Sequence, residues 1–183
     1  RSRLEQAMHP LPIWYAPFGD EDAAFGYPVH ALTQRPMDMY HSWGSQNAWL
    51  RQIKGRNYLY LPTRIWQAQG FQPGDWARVS SRAGTIVVPV AHMAALNGNT
   101  VWTWNAIGKR KGAWALSPDA QEATTGFLLN HLISELLPEK GVRLSNSDPV
   151  TGQAAWFDQR VRVERVAASD HPRGTAEPGF PEL

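Results

Sequence analysis

Short strands joined by turn residues, with only brief helices between them, predict a mainly β architecture with short helices, closed or nearly closed as a mixed barrel. Three observations carry this expectation. Residues 76–90 read as a hairpin of two apolar strands, and residues 160–166 alternate valine with charge. Strands and helices are also interspersed without the regular alternation that builds a parallel sheet. A chain of 183 residues suits one core with tails. Hydrophobic residues make up 43% and charged residues 19%, a balance that buries enough apolar surface to fold and lies far from the highly charged compositions that stay disordered.

Taken in order, residues 1–26 hold Pro10, Pro12, Pro17, Gly19 and Gly26 beside Asp20-Glu21-Asp22 and show no period, so they read as an N-terminal arm or linker. Residues 27–168 form the barrel domain, and residues 169–183, with Pro172, Pro178 and Pro181, read as a flexible C-terminal tail. Tyr27 to Thr33 is a buried strand that runs into a polar loop, Gln34 to Gly44, broken by Pro36. Ser45 is available as the N-cap of a helix reaching Ile53, with Trp49, Leu50 and Ile53 on one face. Thr63 to Gln69 is a second helix, which Gly70 closes. Pro73-Gly74-Asp75 then turns the chain into the hairpin strands Trp76–Ser80 and Thr85–Val90, where Gly84 is expected to supply a positive φ. Asn97-Gly98 marks a turn before the strand Thr100–Trp104. Two i,i+4 rows, Leu128/Leu132/Leu136 and Leu129/Ile133/Leu137, predict a helix that stops at Pro138.

Composition excludes several chemistries. The chain has no cysteine, which removes disulfides, thiolate metal sites, iron–sulfur ligation and cysteine nucleophiles from this segment. That fits a cytoplasmic chain. Its longest apolar runs fall short of the roughly 20 residues that span a bilayer. A net charge of +2 does not by itself predict a polyanion partner. The run Gly108-Lys109-Arg110-Lys111-Gly112 is read as a solvated loop, with an anion path as the other reading; it lacks the spacing of a phosphate-cradling loop. His9, His30, His92 and His171 show no ligand spacing, so no metal site is assigned. His41-Ser42 stands without a Gly-x-Ser-x-Gly elbow, which discounts acyl transfer.

The most informative stretch is Thr33-Gln34-Arg35-Pro36-Met37-Asp38-Met39-Tyr40-His41-Ser42-Trp43-Gly44-Ser45-Gln46-Asn47. It gathers hydroxyls, a guanidinium, an imidazole and carboxamides after a strand and before a helix, where an anion such as phosphate is favoured. An ordinary polar loop with capping Ser and Asn is the competing reading. Trp102 reads as a core or interdomain residue, while Asn105 after it is a candidate for the ligand.

This stretch, together with four later segments, resembles the C-terminal dinucleotide-binding domain of the molybdopterin oxidoreductase superfamily of the dimethyl sulfoxide reductase type. The resemblance rests on Thr33-x-Arg35 followed by His41-Ser42, on Leu59-Tyr60-Leu61-Pro62 through Gly70-Phe71-Gln72-Pro73-Gly74-Asp75, and on the hairpin Val79 to Val90. Leu129-Asn130-His131-Leu132 and Asp148-Pro149-x-x-Gly152-Gln153 complete it, in the same order, over residues 27–166. It implies a six-stranded double-psi β-barrel holding bis-molybdopterin guanine dinucleotide with molybdenum or tungsten, shared with further domains and absent from an isolated fragment. Thr33, Arg35, His41, Ser42 and Ser45 would then face phosphate, ribose or pterin oxygens, joined by Asn105. Asn130, Gln153 and Phe157 would lie along the pterin. Two positions depart from the pattern: Gln34 where relatives often carry Gly, and Phe157 where some carry Lys. The expected partners are the other domains of the same catalytic subunit, an iron–sulfur electron-transfer subunit plus a membrane anchor, with a cytoplasmic site favoured and nucleic acid not expected. The tryptophan-rich middle looks closer to the sulfur-compound branch, which oxidises sulfite or reduces polysulfide or thiosulfate. Two rivals stay open: a stand-alone double-psi module that binds peptide without cofactor, and a basic nucleic-acid binder using Lys109 to Lys111 with stacking tryptophans.

Overall fold

The computed structural model describes residues 11, 22–44, 47–54, 56–105, 127–133, 153–154 and 159–170. The expectations for Lys109 to Lys111, for Leu136 to Pro138 and for residues 171–183 lie outside the described residues. Among the described residues, six strands close into a barrel: β1 (Val29–Gln34), β2 (Leu59–Leu61), β3 (Trp76–Ser80), β4 (Thr85–His92), β5 (Thr100–Trp104) and β6 (Arg160–Arg165). Their order around it is β1-β5-β2-β4-β3-β6. The pairs β1·β5 and β2·β4 are parallel and the other four antiparallel, as expected of a double-psi barrel.

Period-two alternation explains why these segments became strands. Ala31 and Thr33, Leu59 and Leu61, Ala77 and Val79, Val88 and Val90, Val101 and Thr103, and Val161 and Val163 are all buried, whereas Arg78 and Arg162 between them are exposed. These side chains are mostly small or β-branched, because a six-stranded barrel leaves room only for side chains that fill a narrow interior. Phe71 and Leu132 are also fully buried and extend this core. Each such aliphatic or aromatic side chain contributes roughly 1.5–3 kcal/mol.

Pro89 lies inside β4, where a missing N–H is usually excluded. Its position removes the conflict: β4 pairs with β3 from Thr85 to Pro89 and with β2 only from Val90 onward. The strand changes partner at the residue that has nothing to donate.

Helices are short, as expected: α1 (His41–Gly44), α2 (Ala48–Ile53) and α3 (Thr63–Ala68). The expected polar loop thus contains one helical turn, α1. The cap of α2 is Asn47, not Ser45: its Oδ1 accepts from the N–H of Trp49 at 2.9 Å and of Leu50 at 3.4 Å. Gly70 follows α3 at φ +65° and Gly74 turns the chain at φ +90°, both in the left-handed region that glycine enters without strain. Gln69, capping α3, reaches β6, donating from Nε2 to the Val163 carbonyl at 2.6 Å and accepting from the Arg165 N–H at 2.9 Å. Arg165 in turn pairs with Asp75 at 2.7 Å.

Two expectations are corrected. Gly84 does not take a positive φ; it is needed for space, since a Cβ there would lie 2.7 Å from the His131 carbonyl oxygen. The helix expected over Leu128 to Leu137 is, in its described part, a 3-10 turn at Leu129–Leu132, ended by Ile133 in extended conformation. A 3-10 turn repeats every three residues, so it buries Leu129 and Leu132 on one side and satisfies the same leucines without a helix. Ser81 Oγ and Gln159 Nε2 donate to the Leu132 carbonyl at 2.6 and 3.1 Å, seating this turn over the barrel. The last residues of the expected arm are ordered by a similar tie, Asp22 to Arg82 at 3.1 Å, with the Arg82 guanidinium over the Phe25 ring.

Replacing Gly84 with Ala should lower stability by about 1–3 kcal/mol in urea unfolding, because backbone rather than a pliable side chain blocks the new methyl. Gly98→Ala, whose Cβ would meet only the Arg64 side chain at 3.5 Å, should stay within about 0.5 kcal/mol. Tyr60 supplies a pH test: burial pushes its hydroxyl pKa up, opposed by the Trp104 indole N–H and reinforced by Tyr58. A raised folded value means that the associated stability is whole below the ordinary tyrosine value of about 10 and is lost as pH rises through the higher folded value. Tyr60→Phe should therefore flatten the decline in unfolding free energy above about pH 10.

Candidate functional site

Strand directions decide which loops share an end of the barrel. β5 runs with β1, β2 against β5, β4 with β2, and β3 and β6 follow from their antiparallel pairings. The ends of β1 and β5 therefore open at the same mouth as the start of β2, the β3–β4 turn and the start of β6. Thr33, Arg35 and Asn105 come to this mouth, and so does the Leu129–Leu132 turn that carries Asn130, through its contacts with Ser81 and Gln159.

A buried polar chain, rather than apolar packing, holds one side of the mouth. Asn57 is 1% exposed and Thr103 0%. Asn57 Nδ2 donates to the Trp104 carbonyl at 2.8 Å, and Thr103 Oγ1 lies 3.1 Å from Asn57 Oδ1 and 3.0 Å from the Tyr58 carbonyl. Trp104 stacks edge-on against Trp102 at 4.3 Å, and Trp102 against Tyr60 at 5.1 Å. The Lys54 ammonium stands 3.8 Å over the Trp104 ring and 3.7 Å from Asp38 Oδ1, so one cation bridges the indole and the loop after β1. The Trp104 N–H is directed at the Tyr60 hydroxyl without a well-formed hydrogen bond.

Two buried acceptors at this mouth, Asp38 Oδ2 and Asn105 Oδ1, find no hydrogen-bond partner among the described residues. A buried acceptor left unpaired costs about 1–3 kcal/mol, a cost that a ligand rich in N–H and O–H groups removes. Between them in the chain, His41 has φ +46°, a left-handed conformation unfavourable for a residue with a Cβ and concentrated at functional sites. Gly44 permits the tight return of this loop, since a Cβ there would lie 3.1 Å from Met39.

The residues singled out from the sequence fall into three groups: gathered at the mouth, exposed beside it, and undescribed. Thr33 is buried and paired in register with Thr103. Arg35 is exposed immediately after β1. Asn105 is joined to that strand by its N–H, which donates to the Gln34 carbonyl at 2.8 Å. His41 is exposed, its ring 5.7 Å from Tyr40. Ser42 lies within α1. Asn130 is exposed on its turn, and Gln153 is exposed. Ser45 and Phe157 lie outside the described residues. The expected anion seat at a helix N-terminus is revised: α1 and α2 span only four and six residues, and Asn47 already occupies two amides of α2. Sequence reading missed Lys54, Asn57 and the role of Asp38. Asn57 precedes a strand as any turn asparagine might be written, and only partners 46 and 47 residues away reveal it.

Comparison with known proteins agrees with this geometry. The chain is 56% identical over 176 residues to the A-type subunit of sulfite dehydrogenase from Allochromatium vinosum, an alignment covering 93% of this chain and 18% of that protein. The chain thus spans less than a fifth of that relative's length. Among solved structures it is similar to acetylene hydratase from Pelobacter acetylenicus, with a TM-score of 0.65 and 18% identity over 89% of this chain and 22% of the other, which shows a shared fold. Residues 29–139, from the first strand across the mouth and past the Leu129–Leu132 turn, match the family described as Molydopterin dinucleotide binding domain, and because they make up more than half of the chain, it belongs to that family.

Proposed function

We propose that this chain is the C-terminal cofactor-binding domain of the catalytic subunit of a molybdopterin-dependent oxidoreductase acting on a sulfur compound, sulfite foremost. The 56% identity to a subunit of a sulfite dehydrogenase, extending over nearly the whole chain, carries this reading. The ligand is bis-molybdopterin guanine dinucleotide with molybdenum or tungsten, held jointly with other domains, and when bound it supplies the two-electron redox chemistry. This chain's contribution is grip and orientation. Arg35, with His41, Ser42 and Ser45, faces the phosphate and ribose oxygens; Thr33 closes the floor beside them. Asn105 and Asp38 offer their unpaired oxygens to donor groups of the ligand, and Asn130, Gln153 and Phe157 lie along the pterin. The residues fit such a group because the buried atoms lacking partners are acceptors, while a pterin and a purine both present N–H donors.

The surface supports assembly with sister domains. Met37, Tyr40, Trp49 and Ile53 are 98%, 66%, 77% and 68% exposed. Trp49 and Ile53 were expected with Leu50 on one face of a helix; they point outward, and only Leu50 is half-buried. Such a concentration of large apolar side chains around α1 and α2 is the kind of patch that marks a contact surface. The partners are the remaining domains of this catalytic subunit; through them the chain joins an iron–sulfur subunit plus a membrane anchor.

Two experiments test these readings. In the full-length enzyme, Arg35→Ala should lower the dinucleotide retained per folded subunit by roughly ten- to a hundredfold, the worth of a charge-assisted hydrogen bond; unchanged content would remove Arg35 from the site. Replacing both Trp49 and Ile53 with Ser should leave the stability of the isolated chain within about 0.5 kcal/mol. In the full-length subunit the same pair should cost several kcal/mol, as for about 2–5 per buried apolar side chain. Equal effects in both would mean that this face meets no other domain.

A further inference from the structure

We infer that Asn57 is a positioning residue for the dinucleotide, acting by pinning the peptide unit between Trp104 and Asn105 at the barrel mouth. It rests on the reading of that mouth as the cofactor site. The pairing of β2 with β5 covers Leu59 with Thr103 and Tyr60 with Trp102, so the last residues of β5 outrun the ladder. Asn57, two residues before β2, supplies the missing rung with its side chain: Nδ2 donates to the Trp104 carbonyl at 2.8 Å. On the other side, the Asn105 N–H donates to the Gln34 carbonyl at 2.8 Å. That carbonyl and that N–H belong to one planar peptide. Held at both polar ends, the plane cannot rotate, and the direction in which Asn105 leaves the backbone is set. What that direction presents is Oδ1, buried and without a partner among the described residues.

A purely structural part for Asn57 explains this less well. Burying a carboxamide at 1% exposure is costly unless its bonds are needed. Thr103 does not need it, because the Tyr58 carbonyl lies at 3.0 Å from the same hydroxyl. The Trp104 carbonyl does need it, its other neighbour being Thr103 Oγ1 at 3.5 Å. The bond that cannot be replaced is the one leading to Asn105.

The test is a double-mutant cycle in the full-length enzyme, reading the first-order rate of dinucleotide release beside the thermal midpoint. Asn57→Ala and Asn105→Ala should each speed release about tenfold, as removal of supporting hydrogen bonds does at other ligand sites. The double variant should release no faster than the faster single, because the two act through one oxygen. Thr103→Val, which touches the same buried chain but spares the Trp104 carbonyl, should change release by less than about twofold. If Asn57→Ala does not fold, the near-isosteric Asn57→Asp keeps an acceptor for Thr103, loses the donor to Trp104 and takes its place in the cycle. Multiplying effects in the double variant, or Thr103→Val matching the Asn57 variant, overturns the positioning role while leaving the site in place. An Asn105→Ala enzyme that holds its dinucleotide as tightly as the parent overturns both the role and the reading of the mouth.

Discussion

The narrow bore of a closed six-stranded barrel governs the rest of this structure. Every strand must send small or β-branched side chains inward, so nothing bulky enough to be a binding site fits inside, and chemistry is driven to the rim. There the ladders run out at different heights, leaving backbone groups that strand pairing no longer satisfies. Side chains take over: Asn57 completes β5, Gln69 completes β6, and Ser81 with Gln159 receives the turn that covers the opening. The rim is therefore built of polar contacts whose partners are fixed by closure, which is the rigid support a recognition site requires.

Most of the barrel could be read from local pattern because its strands obey period two and its turns carry their own chemistry. The valines of β6, the hairpin strands and the Gly70 and Gly74 turns needed no knowledge of distant residues. Where reading failed, a long-range contact had decided. Leu128 to Leu137 offered helical spacing, yet the core needs only Leu129 and Leu132 there. Gly84 looked like a conformational choice and proved to be a clearance from His131. The α2 cap fell to Asn47 rather than Ser45, two candidates that composition alone does not rank.

The site was legible in outline and not in its supports. Thr33, Arg35 and Asn105 could be nominated because they flank strand ends in a recognisable order, and the structure brings them to one mouth. Asn57, Lys54 and Asp38 could not, since each takes its meaning from Trp104 or from another residue of this polar chain. Indirect groups of this kind leave no period and no spacing in a single sequence. They become visible only when buried polar atoms are accounted for one by one.

Pro89 gives the barrel a safeguard against misassembly. A β4 strand displaced by a single residue along β2 would bring the imino nitrogen to a rung where a donor is required, and would turn Val88 and Val90 outward at the same time. Faulty alignments are thus penalised twice, once in lost bonding and once in exposed hydrocarbon. In a fold whose strands come together from distant parts of the chain, such a veto narrows the number of closures that survive.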